Sequence, residues 1–186
     1  DKSSSGFSNG VKVVRSSSYL LLMLALVGLV QIAITLVDYQ FNTIVESVYP
    51  DTDQRTGIIG KVYAAISLVT IVLHSLTGPI LRLLSVPVTL LAVPCLLGTS
   101  LSVFAIAPGL LTVSILKNAS KAFDYSIFRA AKEILYIPLS YQEKTAGKSI
   151  VDMLTYRTAK VGASLILMVF VALGGSFAVS IITGII

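Results

Sequence analysis

Long apolar runs, broken by short polar or proline-bearing stretches, dominate this chain. From Ser18 it is mostly apolar to Val37, enough to cross ~30 Å of hydrocarbon at ~1.5 Å per residue. It continues as a more polar stretch to Val48. Tyr49-Pro50-Asp51 ends the run, because Pro cannot continue a helix and disfavours helical geometry in the residue before it. The pattern predicts a first helix over 18–48. A second is expected over 58–84, with Gly78-Pro79 as a kink near its end. A third is expected over 86–107, with Pro87 in the first turn and Pro94 as a kink. Pro108-Gly109 reads as a tight turn. A fourth helix over 110–136 stops at Ile137-Pro138-Leu139, and a fifth over 148–173 follows a polar loop. After the turn Gly174-Gly175-Ser176, residues 177–186 are apolar but cover only ~15 Å, the length of a sixth helix cut short. Residues 1–17 are rich in Ser and Gly and read as a linker on the cytoplasmic side.

Composition turns these helices into membrane spans. The chain is 55% hydrophobic and only 12% charged, with a mean hydropathy of +0.89. Soluble domains carry roughly 25% charged residues, so too little polar surface remains here to cover a globule. The fold class is an all-α, multi-pass membrane protein over 18–186. A signal peptide does not fit, because the first apolar run is too long and further spans follow. The chain begins without Met, which suits a segment of something larger.

Several chemistries are excluded. Cys95 is the sole cysteine and lies in an apolar run, which reads as a packed or lipid-facing thiol. His74 is the sole histidine and reads as a packed or helix-bridging residue. No HxxH or CxxC is present, so neither a metal site nor a cofactor is expected. Without Trp or a basic cluster, nucleic acid is not an expected partner. Gly147-Lys148-Ser149 echoes a phosphate-binding loop, but that pattern needs Gly where Gln142 stands. The chain is not expected to be an enzyme.

Charge then points to a site. Burying charge in a bilayer is costly, so intramembrane charges face protein, water or a charged ligand. On the fourth helix Lys117, Lys121, Asp124, Phe128 and Lys132 recur at spacings of three and four, which places them on one face. Glu133 and Arg129 join them, Arg157 and Lys160 follow on the fifth helix, and Asp38 sits where the first turns polar. Asp124 and Arg129 are each expected to find an opposite charge: Arg157 or Lys160 for the first, Asp152 or Glu133 for the second. The third helix carries no charge and is expected to face lipid. Lys2, Lys12, Arg15, Arg82, Lys144 and Lys148 fall on one side of the spans, so the positive-inside bias puts the N-terminus in the cytoplasm. A six-helix unit with short loops is what the major facilitator architecture uses twice, with the site between the halves. There the first and fourth helices line the cavity, as the charges here require.

From Lys117 onward the text carries a resemblance. Lys121, Tyr125-Ser126-Ile127-Phe128 and Lys132-Glu133-Ile134-Leu135-Tyr136-Ile137-Pro138-Leu139 resemble the tenth-helix region of the ATP/ADP translocases of plastids and intracellular bacteria. Gly147-Lys148-Ser149-Ile150-Val151-Asp152 and Lys160-Val161-Gly162-Ala163-Ser164-Leu165-Ile166 are similar to their eleventh helix. Leu36-Val37-Asp38 resembles their seventh, where the family has Glu. Around the Tyr-Ser-x-Phe core the family has Lys and Asp, whereas this chain has Asp124 and Arg129. The resemblance implies the C-terminal half of a twelve-helix, major-facilitator-like exchanger of nucleotides, partnered by an N-terminal six-helix half. It implies a bacterial inner membrane or plastid inner envelope. Its functional acid matches Asp38 and its functional base Lys160. The alternatives are a proton-coupled carrier of another organic anion, with Asp38 or Glu133 titrating, and a membrane sensor or anchor fused to a soluble domain.

Overall fold

The computed structural model describes residues 2–172 apart from Pro108 and Gln142. The turn at 174–176 and the short sixth helix over 177–186 lie outside the described residues. Within them the chain forms α1 (Lys2–Ser16), α2 (Ser18–Val48), α3 (Thr52–Leu83), α4 (Val86–Ile106), α5 (Leu110–Phe123), α6 (Arg129–Leu135), α7 (Lys148–Ile150) and α8 (Tyr156–Ala172). A π-helical turn, Asp124–Phe128, joins α5 to α6, a second, Glu143–Gly147, opens α7, and a third, Val151–Thr155, joins α7 to α8. No strand occurs among the described residues.

Two helices, α2 and α3, are long and apolar enough to cross a membrane. Only 6% of the most apolar window of α3 is buried inside the protein. Leu68, Ile71, Val72 and Leu76 stand outward along it. An apolar face of this size suits hydrocarbon rather than water. The helix at the centre is α2, packed against α5 on one side and α8 on the other, with α3 and α4 outside α5. One apolar core gathers Leu20, Met23, Val27 and Val30 of α2 with Phe128 and Ala131. A second gathers Val37, Phe41 and Val45 with Val113 and Leu116.

Two helices begin earlier than apolar periodicity indicates. The second predicted helix starts at Thr52 rather than 58, because the Asp51 carboxylate accepts the Asp53 N–H at 3.0 Å and caps it. Arg55, in its first turn, pairs with Glu46 across the break at 2.9 Å. The fifth starts near 143 rather than 148. There the Ser140 N–H and hydroxyl donate to Glu143 Oε2 at 3.1 and 2.8 Å, and the Glu143 N–H returns to Ser140 Oγ at 3.5 Å. This reciprocal box satisfies amide groups that the first turn leaves unbonded. The hydroxyl and N–H of Ser140, with the Ser17 hydroxyl, hold the Glu143 carboxyl below the usual carboxylate range.

Within the stretch read as a linker, Lys2–Ser16 is helical. This helix is α1, docked on 143–147 and α7. Val14 is buried in this contact, while Lys12 and Arg15 stay exposed. Gly10 permits the approach: a Cβ there would lie 2.7 Å from Ile150 Cγ1 and 3.1 Å from the Ala146 carbonyl oxygen. Gly10→Val is expected to cost about 1–3 kcal/mol of docking, as overpacking typically does. Limited proteolysis should then cut between α1 and α2 faster than in the parent. Unchanged cleavage would show that α1 is not held by this contact.

Of the uncharged helix α4, Thr89, Leu90 and Leu97 turn inward, and Val88, Leu91, Val103, Ile106 and Cys95 are exposed. A thiol that faces hydrocarbon stays protonated, so Cys95 should react slowly with a charged maleimide until detergent or denaturant admits water. Rapid labelling of Cys95 by the charged reagent would place this face in water. His74 was expected to pack or bridge helices; it is exposed on α3, whose outer face it shares with Ile71 and Val72.

Candidate functional site

The charged stripe on α5 and α6 lies along α2 as three polar levels. At the level nearest the α2 C-terminus, Asp38 takes two ammonium groups. Lys121 Nζ lies 2.7 Å from Oδ2 and Lys117 Nζ 3.5 Å from Oδ1. Lys117 is only 1% exposed, and its ammonium sits 4.0 Å from the Phe41 ring centroid and 4.9 Å from that of Tyr63. The triad carries one more positive than negative charge. The two ring faces offset part of that excess, since an aromatic quadrupole attracts a cation.

One level along, Gln31 and Asp124 meet. The Gln31 amide donates to Asp124 Oδ1 at 3.1 Å, and both side chains are buried. Asp124 opens the π-helical turn, a form that is frequent at functional sites. At the third level, Lys132 pairs with Asp152 at 2.8 Å, and the Tyr136 hydroxyl donates to the same carboxylate at 3.0 Å. Beside them Lys148 pairs with Glu133 at 2.6 Å and lies 5.2 Å from the Tyr136 ring centroid. These contacts tie α6 to the start of the following helix.

Between the second and third levels opens a cavity of about 370 Å³, lined by Gln31, Asp124, Arg129, Lys132, Asp152 and Tyr156 among others. A larger one, about 590 Å³, lies between α2 and α8, lined by Thr35, Asp38, Tyr39, Asn42, Ser164 and Met168 among others. Lys160 is four residues from Tyr156 and four from Ser164, on the stripe of α8 that joins the two. Its ammonium donates to the Tyr156 hydroxyl at 3.2 Å and rests 4.3 Å from that ring's centroid.

The structure thus brings Asp38, Lys117 and Lys121 into one triad. Asp124, Arg129, Lys132 and Glu133 line one cavity, with Lys160 beside it. Arg157 is exposed and borders neither cavity. The partners expected for Arg129 are committed elsewhere: Asp152 takes Lys132, and Glu133 takes Lys148. Of those expected for Asp124, Lys160 donates to the Tyr156 hydroxyl and Arg157 is exposed. Asp124 turns to the neutral Gln31 instead. Gln31, Tyr136 and Tyr156 are site residues that a search for charge passes over; a lone amide in an apolar run was the available signal for Gln31.

The model of the TLC ATP/ADP transporter family matches residues 1–108 and 98–186. The chain belongs to this family. Among curated relatives, the plastidic ATP/ADP-transporter of Solanum tuberosum is 27% identical over 190 residues, covering 91% of this chain and 30% of that protein. ADP,ATP carrier protein 3 of Rickettsia typhi is 26% identical over 182 residues, 87% of this chain and 36% of the carrier. ADP,ATP carrier protein 1 of Chlamydia trachomatis is 39% identical over a shorter stretch of 70 residues, 38% of this chain and 12% of the carrier. The chain spans about a third of the length of the two relatives that it matches along most of its own sequence, and 12% of the third. No solved structure matches it.

Proposed function

We propose that this chain is the C-terminal six-helix half of a twelve-helix, major-facilitator-like carrier that exchanges nucleotides of the ATP/ADP type across a membrane. The observation that carries the reading is the charged groove along α2, in a chain of the ATP/ADP transporter family. Its cations outnumber its carboxylates, and phosphate tails are the polyanions such a groove suits. Lys160 and Arg129 make no ion pair with a carboxylate among the described residues. They are the cations a phosphate meets first. Lys117, Lys121 and Lys132 are engaged by Asp38 and Asp152, and a bound anion competes for them.

Asp38 then has a mechanical part. In the empty carrier it holds Lys117 and Lys121 against α2, which keeps this half closed on itself. An anion that draws a lysine away loosens that contact and frees the half to rock against an N-terminal partner, giving alternating access. No bond is made or broken in the substrate. The N-terminus lies in the cytoplasm, in a bacterial inner membrane or plastid inner envelope. Counter-exchange of labelled ATP against ADP by the reconstituted full-length protein tests the reading. Vesicles that exchange neither nucleotide while the protein is folded would overturn it.

A further inference from the structure

Four carboxylates lie along the groove, and three meet ammonium groups: Asp38 meets Lys121 at 2.7 Å, Asp152 meets Lys132 at 2.8 Å, and Glu133 meets Lys148 at 2.6 Å. Asp124 is the exception among the described residues. It is 7% exposed and accepts the Gln31 amide N–H at 3.1 Å through Oδ1. Gln31 is itself 2% exposed, and its Oε1 is buried with no partner. Both side chains line the 370 Å³ cavity.

The chemistry of this pair limits what can fill the corner it forms. A carboxylate has about four lone-pair sites, and the Gln31 bond uses one of them. An amide oxygen has two, and neither is used. The amide cannot turn round, because the carboxylate accepts and needs its N–H. The corner is therefore rich in acceptors, and acceptors buried without a match are costly. An ionised phosphate brings only further acceptors and negative charge, so it is repelled there. The match is a neutral group with adjacent O–H or N–H donors. Arg129 lines the same cavity and makes no ion pair with a carboxylate among the described residues. A ligand suited to both carries an anionic group and neutral donors a few ångströms apart.

A nucleotide has two kinds of donor beyond its phosphates. The adenine amino group sits beside a ring nitrogen that accepts, and that nitrogen would face the carboxylate. The 2′- and 3′-hydroxyls of ribose are two adjacent donors, and acidic side chains take a ribose hydroxyl in dinucleotide-binding folds. We propose that Asp124 and Gln31 read the sugar: the Asp124 carboxylate and Gln31 Oε1 accept the ribose hydroxyls, while Arg129 meets the adjoining phosphate. This rests on the nucleotide reading above. It adds that the carrier selects ribonucleotides over nucleotides that lack the hydroxyls, whatever the base. The cavity is at the small end for a ligand site, which suits a sugar and its phosphate rather than a whole nucleotide.

Isothermal titration of the full-length protein with ADP and with 2′,3′-dideoxy-ADP reads the corner. ADP should bind roughly ten- to a hundredfold more tightly, the effect of a hydrogen bond to a charged group. In Asp124→Asn, which keeps the shape but replaces an accepting oxygen by an amide nitrogen, the two should bind alike. Gln31→Leu removes the second acceptor and should shrink the preference. Lys160→Ala should weaken both nucleotides by the same factor, as any general loss of the site would. Equal binding of the two by the parent would mean that water fills the corner, and would overturn the proposal. So would a preference that survives in Asp124→Asn. Exchange of ATP against ADP alongside either result would leave the carrier reading standing. If the folded parent binds neither nucleotide, yet binds ribose 5-phosphate more tightly than 2-deoxyribose 5-phosphate, the sugar corner stands and the nucleotide reading falls.

Discussion

Replacing Asp38 by Ala lowers the stability of the protein more than any other single change in the groove. Two ammonium groups converge on its carboxylate, and Lys117 and Lys121 are 1% and 6% exposed at their side chains. The ammonium groups themselves are turned away from solvent, so most of what the carboxylate supplies is lost with it. Removing one partner of a buried ion pair costs about 3–5 kcal/mol, because the charge left behind is uncompensated. Thermal unfolding of the purified protein in detergent reads the effect. Lys117→Met in the same background should recover part of the loss, since it removes a stranded charge and keeps an apolar stem against Phe41. Asp38→Asn, which retains the shape, is expected to impair exchange flux more than equilibrium binding. An Asp38→Ala protein as stable as the parent would mean that the triad is not a structural lock.

The second large effect is on binding. Lys160→Ala should weaken nucleotide binding roughly ten- to a hundredfold, the loss of one hydrogen bond to a charged group at about 1.5–3 kcal/mol. The stability of the empty protein should barely change, because among the described residues the polar partner of Lys160 is the exchangeable Tyr156 hydroxyl, with that ring beneath it, and no carboxylate is left unpaired. Lys160→Arg keeps the charge and should restore most of the affinity. Isothermal titration with ATP on the same purified variants separates the two. Parent-like binding by Lys160→Ala would remove this residue from the phosphate site.

The stripe Lys117, Lys121, Asp124, Lys132 was legible because four-residue spacing leaves a helix little choice of face. Asp38 was legible as the acid of α2, but not as the partner of those two lysines, since 79 residues separate it from Lys117. The pairing of Lys132 with Asp152, rather than of Arg129 with Asp152, was likewise out of reach. Arg129 and Lys132 are three residues apart and stand only about 60° apart around the helix, so spacing alone does not choose between them, and the π-helical turn before Arg129 alters the register further. Residues 52–57 and 143–147 are polar, so periodicity stopped short of the real helix starts. Their caps depend on a carboxylate meeting an N–H two or three residues away.

What the sequence by itself determined is the all-helical, apolar character of the chain and the shared face of the charges Lys117, Lys121, Asp124 and Lys132. Those follow from run length and from a periodicity that every turn of helix repeats. Only the tertiary structure decided which charges are spent on one another. Three of the four groove carboxylates meet ammonium groups, while Asp124 meets an amide from an otherwise apolar run and Lys160 rests on a tyrosine. Ion pairing is settled by distances of a few ångströms between helices remote in the chain. A shift of one residue along a helix turns a side chain by about 100°, enough to make or lose a partner.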